Sequence, residues 1–557
     1  MDCRALPSHK LPHQSKLFLE YLNNFSKVQA FYAHAPKMAS VTAVASKLDF
    51  PKELRSAVAA ILRAQNAAFG AGPAVFENLD RLEKGAVAIV SGQQVGLFGG
   101  PAYSFYKALS AIQLANEVTR SGIEAVPVFW MATEDHDVDE VRHVSWFQEG
   151  QLKRFELAAP PEQEAGRPVG KILLGPQIDE QVHEAAELLV KQGSVLLAQF
   201  LKESYNRGET YGSAFAKLFV RLFSQLGLIL LDPLDPALHR IAAPVYRQAI
   251  EDRDTLNEKL LRRGKELEAT GFSAQVKVTA TSTLLFYMGN QCNECGDKAQ
   301  TKAQASDGVR KAITANGHGK FQAGEKQWAT AELLKAIEST PQDFSPSALL
   351  RAVVQDYLLP TVGYIGGAAE IAYFAQSEVV YRHVLGRMPV ILPRPDFTLV
   401  DIKAAKLLRV YNLKVEDIWA GSQEVRRRME RASVPKELSR DFDRNHKQVT
   451  KMLDQLHDQL KKLDPTLQGA VETARKKIEY QIDKLRRKTG RATVAKATLL
   501  AVYENFLEQL LYPHKVLQSR ELCLLPFLAR WSPGGLTELQ KLCGSKNLGH
   551  HCIVQLS

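Results

Sequence analysis

Three short stretches of this 557-residue chain carry closely spaced side chains able to do chemistry. The first, SGQQVGLFGGPAYSFYK (91–107), has glycines at 92, 96, 99 and 100, which let a backbone approach a ligand closely. A strand-to-helix turn there gathers N–H groups and the positive end of a helix dipole at one point. Tyr103 and Lys107 are four residues apart on one helix face, so Lys107 is placed to meet an anionic group near the helix's first turns. The spacing is neither GxGxxG nor a Walker A loop, so no dinucleotide or P-loop claim follows. A phosphate or carboxylate site is favoured over a glycine-rich connector with Lys107 solvated.

The second stretch, TEDHD (133–137), sets Glu134, Asp135, His136 and Asp137 just past an apolar run that reads as a buried strand. Ligands of open α/β sheets bind outside the carboxyl ends of such strands. Carboxylates there can position an amine, accept its proton or hold Mg²⁺, and His136 can act as acid or base. Asp139 and Glu140 fit a plainer role, capping the next helix and pairing with Arg142. In the third stretch, VGYIGGAAEIAYF (362–374), a strand again meets a glycine turn and a helix, with Glu370 and Tyr373 facing one way. Arg351, Gln355 and Asp356 share a helical stretch upstream, and PRPDF (393–397) offers Arg394 to an anion. Cys292-x-x-Cys295 has the spacing of half a zinc knuckle with no second CxxC, so it reads as a free thiol pair and no metal site is assigned.

These residues need elements to position them. AVAIV (86–90), the helical pattern of 103–122 and AVPVFWMA (125–132) make a βαβ unit. GLILLD (227–232), PTVGYIGG (360–367) and MPVILPR (388–394) read as further strands, and QVKVTATSTLLFY (275–287) alternates like an exposed or edge strand. The fold class that follows is α/β, an open, mostly parallel sheet with insertions. Residues 1–84 read as mostly helical, 85–400 as the core with an insertion at about 233–345, 401–510 as a helical module, and 511–557 as a segment packing back on the core. Residues 290–340 are loop-rich, with room for a small sheet. Val449, Leu453, Leu456, Leu460 and Leu463 step as a heptad seam, Asp464-Pro465 breaks it, and Leu467, Val471, Ala474, Ile478 and Leu485 continue it to Gly490. That is an antiparallel helical hairpin whose apolar stripe must be buried, and self-association is its natural use.

Composition narrows the class. Apolar content of 45% and charged content of 24% are those of a soluble globular protein. No apolar run is long enough for a membrane helix, no secretory signal is read, and six cysteines make no disulfide framework, so the expected compartment is the cytoplasm. Of the net charge of +10, a net +6 lies between His446 and Arg491, where 12 Lys/Arg face 6 Asp/Glu. A solvated helical surface explains that better than binding to nucleic acid.

Five blocks together resemble the BshC family of bacillithiol synthesis. They are SGQQVGLFGGPAYSFYKALSAI, VPVFWMATEDHDVDEVRHV, LLRAVVQDYLLPTVGYIGGAAEIAYFAQSEVVY, LGRMPVILPRPDFTLV and LYPHKVLQSRELCLLPFLARW, in the family's order across nearly the whole chain. The resemblance implies a Rossmann-like core related to class I nucleotidyltransferase folds, and a C-terminal coiled coil through which members form homodimers. It implies a ligase that joins the carboxylate of L-cysteine to the amine of glucosaminyl-malate, with ATP or ADP as nucleotide, and Mg²⁺ is a metal that the TEDHD carboxylates are able to hold. A nucleotide pocket beside the coiled coil, apart from the active site, is also implied. Carried over by position, Gln93, Gln94, Gly100, Tyr103 and Lys107 line the active site. Glu134, Asp135, His136 and Asp137 face them, and Tyr364, Gly366, Gly367, Glu370 and Arg394 complete the pocket. In that reading Lys107 and the glycine-turn amides meet phosphate charge, while Glu134, Asp135 or His136 deprotonates the amine. The chain departs from the family at Ala352, at Ala368 and in the loop 290–297, and it has no clear match to the lysine-rich class I loop. Two other readings stand beside this one: a non-catalytic nucleotide-binding protein and an RNA-handling protein of class I-like fold.

Overall fold

The computed structural model describes residues 3–289, 308–317, 319–493, 497–531 and 534–556. Its centre is a sheet of five parallel strands: β1 (Val87–Gln93), β2 (Ala125–Met131), β3 (Ile229–Leu231), β4 (Thr361–Gly366) and β5 (Val390–Pro393). Their order across the sheet is 3-2-1-4-5. The chain winds outward from β1 through β2 to β3, then returns to the other side of β1 for β4 and β5. The order therefore reverses between β1 and β4, where doubly wound sheets leave a crevice at their carboxyl ends.

The apolar runs of these strands do not alternate because both faces of the sheet are covered. Val128 and Trp130 of β2 belong to one hydrophobic cluster, while Phe129 and Met131 belong to the other. Helix α1 (Ala102–Arg120) follows β1, is buried along most of its length, and starts where the Ala102 N–H donates to the Leu522 carbonyl. Helix α2 (Ala348–Leu358) precedes β4, and α3 (Ala368–Val384) follows it. The N-terminal region carries Lys52–Phe69 and Pro73–Lys84, the helices its apolar spacing predicts.

The expected edge strand at 275–287 is regular only over Ser282–Tyr287, and it has a neighbour on each side. It lies in a five-stranded antiparallel sheet with Phe344–Pro346, Lys311–Ala315, Lys320–Ala323 and Lys326–Ala329. Burial along it does not alternate, since Leu284, Leu285 and Tyr287 are all buried. Cys292, Cys295 and His318 lie outside the described residues.

The C-terminal hairpin pairs α4 (Lys436–Leu463) with α5 (Gln468–Thr493), and the Asp464 carboxylate caps the turn by accepting from the Thr466 N–H at 2.8 Å. Arg475–Asp454 and Arg486–Asp443 bridge the two helices. Leu453 and Val471 are buried, but Leu456, Leu463 and Leu485 remain 42%, 78% and 58% exposed. Beyond the hairpin the chain returns to the core. Its last strand, His551–Gln555, lies between Cys3–Leu6 and Asp396–Val400, so both ends of the chain meet in one small sheet. No described helix is long and apolar enough to cross a membrane.

Candidate active site

A cavity of about 570 Å³ opens at the carboxyl ends of β1, β2 and β4, at the reversal in strand order. Gln93, Gln94, Tyr103, Lys107, Glu134, Asp135, Tyr364, Gly367, Glu370 and Arg394 line it. Gly100, His136, Asp137 and Gly366 do not. Gly366 ends β4 with its carbonyl accepting from the Arg394 N–H at 2.9 Å, and an added Cβ there would stand 3.1 Å from that of Glu370.

Lys107 is 2% exposed, and its three N–H bonds are all taken. Its ammonium donates to the Gly92 carbonyl at 2.8 Å, to Gln93 Oε1 at 2.6 Å, and to the Glu370 carboxylate. The anionic group it meets is thus Glu370, one strand away, and the pair ties α1 to the start of α3 across the switch point. Burial disfavours ionised Glu370, but Lys107, the Gly367 N–H at 2.8 Å and the Tyr364 hydroxyl at 2.6 Å hold its carboxyl below the usual range.

The last amides of the glycine turn bond within the protein. The Gly99 N–H donates to the Gly96 carbonyl, Gly100 to Leu97, and Ala102 to Leu522. The glycines serve a backbone that dives into the core. Phe98 takes a positive φ of 53° and is buried against Trp146, Phe155 and Tyr205, and Gly99 and Gly100 follow at 88° and 70°. The Gly99, Gly100 and Ala102 amides are thus taken up within the fold and do not meet phosphate charge. At the second glycine turn the Gly367 N–H is likewise taken by Glu370.

The four groups of TEDHD have four different settings. Glu134 is buried at the cavity floor, and loss of hydration, against the pull of Arg310, pushes its carboxyl up to about 8. Burial also opposes ionisation of Asp135, but it accepts from the His136 N–H at 2.7 Å and Gln94 at 2.5 Å, and Arg310 stands 3.5 Å away. These partners hold it well below the usual carboxylate range. His136 is exposed beside Arg310. Asp137 caps the helix Val138–Val141, accepting from the Glu140 N–H, while Glu140 itself lines the cavity. The cap and the cavity position expected of these two are therefore exchanged, because the turn after Asp135 rotates Asp137 outward.

Cations face the acids. Arg310 stacks 3.9 Å above the Phe286 ring and donates to Ser345 and the Pro346 carbonyl. Arg351 donates to Tyr373 at 3.0 Å and Gln355 at 3.1 Å, lies over Trp130 and Tyr364, and has no carboxylate partner among the described residues. Arg394 pairs with Asp396 at 2.6 Å and lies over Tyr103, and Arg520 reaches the rim from the C-terminal region. Among the described residues no three His, Cys, Asp or Glu side chains converge as a metal site.

The description "Bacillithiol biosynthesis BshC, N-terminal Rossmann-like domain" matches residues 1–395, and its C-terminal coiled-coil counterpart matches 397–556. The chain belongs to the BshC family. Curated relatives named as proposed cysteine ligases BshC include those of Koribacter versatilis, 40% identical over 95% of both chains, and Solibacter usitatus, 37% identical over 95% of both. The Chlorobaculum tepidum relative is 31% identical over 90% of this chain and 89% of its own. As a member of this BshC family the chain is an enzyme of the ligase class.

Within that frame, sequence reasoning missed Arg310 and Arg520 and left Arg351 off the site. Arg310 comes from an insertion with no strand-turn-helix signature, and Arg520 from the region matched by the second BshC model. Arg351, one helix before the third motif, and Arg520 each had one signal, a position inside a matching block, and Arg310 had none.

Proposed function

We propose that this chain forms the amide between the carboxylate of L-cysteine and the amine of glucosaminyl-malate in the cavity at the β1–β4 switch point. The observation that carries the reading is the division of that cavity into an acidic floor, Glu134 and Asp135, and a wall of guanidinium groups, Arg351 and Arg394. An amine loses a proton as it becomes an amide, and a base with an affinity near 8 is matched to that transfer. Asp135, held ionised, attracts the ammonium form. Arg351, a cation without a carboxylate partner among the described residues, suits the carboxylate or phosphoryl oxygens of a substrate. Lys107 acts as a positioning residue that fixes Gln93 and Glu370. His136 and Asp137 stand outside the chemistry.

A free carboxylate needs activation before it can acylate an amine. ATP or ADP is the nucleotide reading that the resemblance supplies. The groups present that fit its phosphates are Arg351, Arg394 and Arg520, while the Gly99 and Gly100 amides are bonded within their turn. The exposed leucines of the hairpin favour a homodimer.

Thiol profiling of cells lacking the gene tests the reading. Bacillithiol is expected to vanish while glucosaminyl-malate accumulates, and neither Arg351→Met nor Glu134→Gln is expected to restore more than about 1% of the wild-type level, the scale of losing one general base. Unchanged bacillithiol in the deletion would refute it.

A further inference from the structure

Behind Glu134 the cavity floor continues into a buried chain of side chains that the reading above does not use. His239 lies in the first turn of the helix Pro236–Glu251 and is 2% exposed. Its Nδ1 is 3.2 Å from the Tyr246 hydroxyl, two turns along the same helix. Its Nε2 stands 3.6 Å from Glu134 Oε1 and makes no hydrogen bond among the described residues.

With Glu134 ionised, the form that accepts the amine's proton, proton accounting gives the tautomer. Tyr246 is buried, and His239 Nδ1 is its hydroxyl's one hydrogen-bond partner among the described residues. A buried O–H donates where it has an acceptor, so it donates to Nδ1. The ring is neutral, since burial brings its pKa down to about 4. Its single proton is then on Nε2, directed at Glu134. The remaining charged neighbours of Glu134 are Arg310 and Arg351, which favour its anion, and Asp232 and Asp135, which oppose it. His239 in turn faces Lys171 and Asp235. None of these makes a hydrogen bond to the Glu134 carboxyl.

We propose that His239, locked by Tyr246, is a positioning residue that presents Nε2–H to Glu134 and stabilises the carboxylate form that takes the proton of the incoming amine. The 3.6 Å separation is longer than a formed hydrogen bond, as is common for catalytic pairs before substrate closes the site. The inference rests on the ligase reading for its catalytic use, but not for the hydrogen bond itself.

The test uses the full-length enzyme and two readouts. The infrared C=O band of protonated Glu134, identified by its loss in Glu134→Gln, is followed against pH, and kcat and KM for ligation are measured over the same range. Loss of a donor to the carboxylate raises its pKa. His239→Phe is therefore expected to move both midpoints upward by about one pH unit, lowering kcat below the midpoint about tenfold with KM unchanged. His239→Gln, which keeps an N–H, is expected to restore most of the shift. Tyr246→Phe, which frees the tautomer, should give a smaller shift in the same direction, and it serves if His239→Phe does not fold. A band that titrates as in wild type in a folded variant overturns the hydrogen bond, and a moved band with an unmoved rate profile overturns its catalytic use. Absence of ligation in the wild-type enzyme would instead sink the ligase reading, with the infrared titration still deciding the pair.

Discussion

Two neighbouring carboxyls, Glu134 and Asp135, are driven in opposite directions by their surroundings alone. One is dehydrated with its cations at a distance, and the other accepts hydrogen bonds from His136 and Gln94 with Arg310 3.5 Å away. The same logic makes Lys107 and Glu370 interdependent. A buried ion pair is poor evidence of net stability, but removing one member strands the other in a medium that cannot solvate it. Lys107→Met is expected to cost about 3–5 kcal/mol at pH 7 in chemical unfolding. Without its cation, Glu370 would have a folded pKa above its unfolded value. The loss should then shrink as pH falls toward 4, where Glu370 is protonated in both states, and grow as pH rises. The double variant with Glu370→Gln is expected to recover much of it, and a purely additive pair would contradict the coupling.

At the scale of elements, each strand-turn-helix motif was legible because its pattern is local: continuous apolar runs, then glycines, then a helical period. What those glycines do was not legible. Gly99 and Gly100 permit positive φ beside a buried Phe98, and Gly92 lets β1 approach β2, where a Cβ would stand 2.7 Å from the Trp130 carbonyl. Gly490 is the sharper case. In sequence it closes a seam, yet α5 runs through it to Thr493, and an added Cβ would lie 1.9 Å from the Glu430 carbonyl oxygen. Gly490→Ala should favour an isolated helix by about 1 kcal/mol. Here it is expected to lower thermal stability instead, by pushing α5 off the helix Ser422–Ala432, and a raised Tm would refute that contact.

At the scale of the whole molecule, the cavity depends on residues far apart in the chain. Arg394 is held by Asp396, whose carboxylate also lies 3.2 Å from His551 Nδ1 on the last strand, and Arg520 closes the rim. The two regions matched by the BshC models are thus joined in one site as well as in one terminal sheet. The hairpin of α4 and α5 contributes no described residue to that cavity. Its unburied Leu456 and Leu485 predict that Leu456→Glu/Leu485→Glu converts a dimer to a monomer in light scattering while the far-UV spectrum is kept. A wild-type monomer would remove the dimer reading.

The sequence by itself determined the α/β class, the three strand-end motifs, the helical hairpin and the family, because each is written in local periodicity or in ordered blocks of residues. The antiparallel partners of Ser282–Tyr287, the saturation of Lys107, the inward plunge of the glycine turn and the arrival of Arg310, Arg520 and His239 were decided only by tertiary structure. Those depend on which distant segment fills a given space and which hydrogen-bond partner arrives first, and neither is encoded in the spacing of nearby residues.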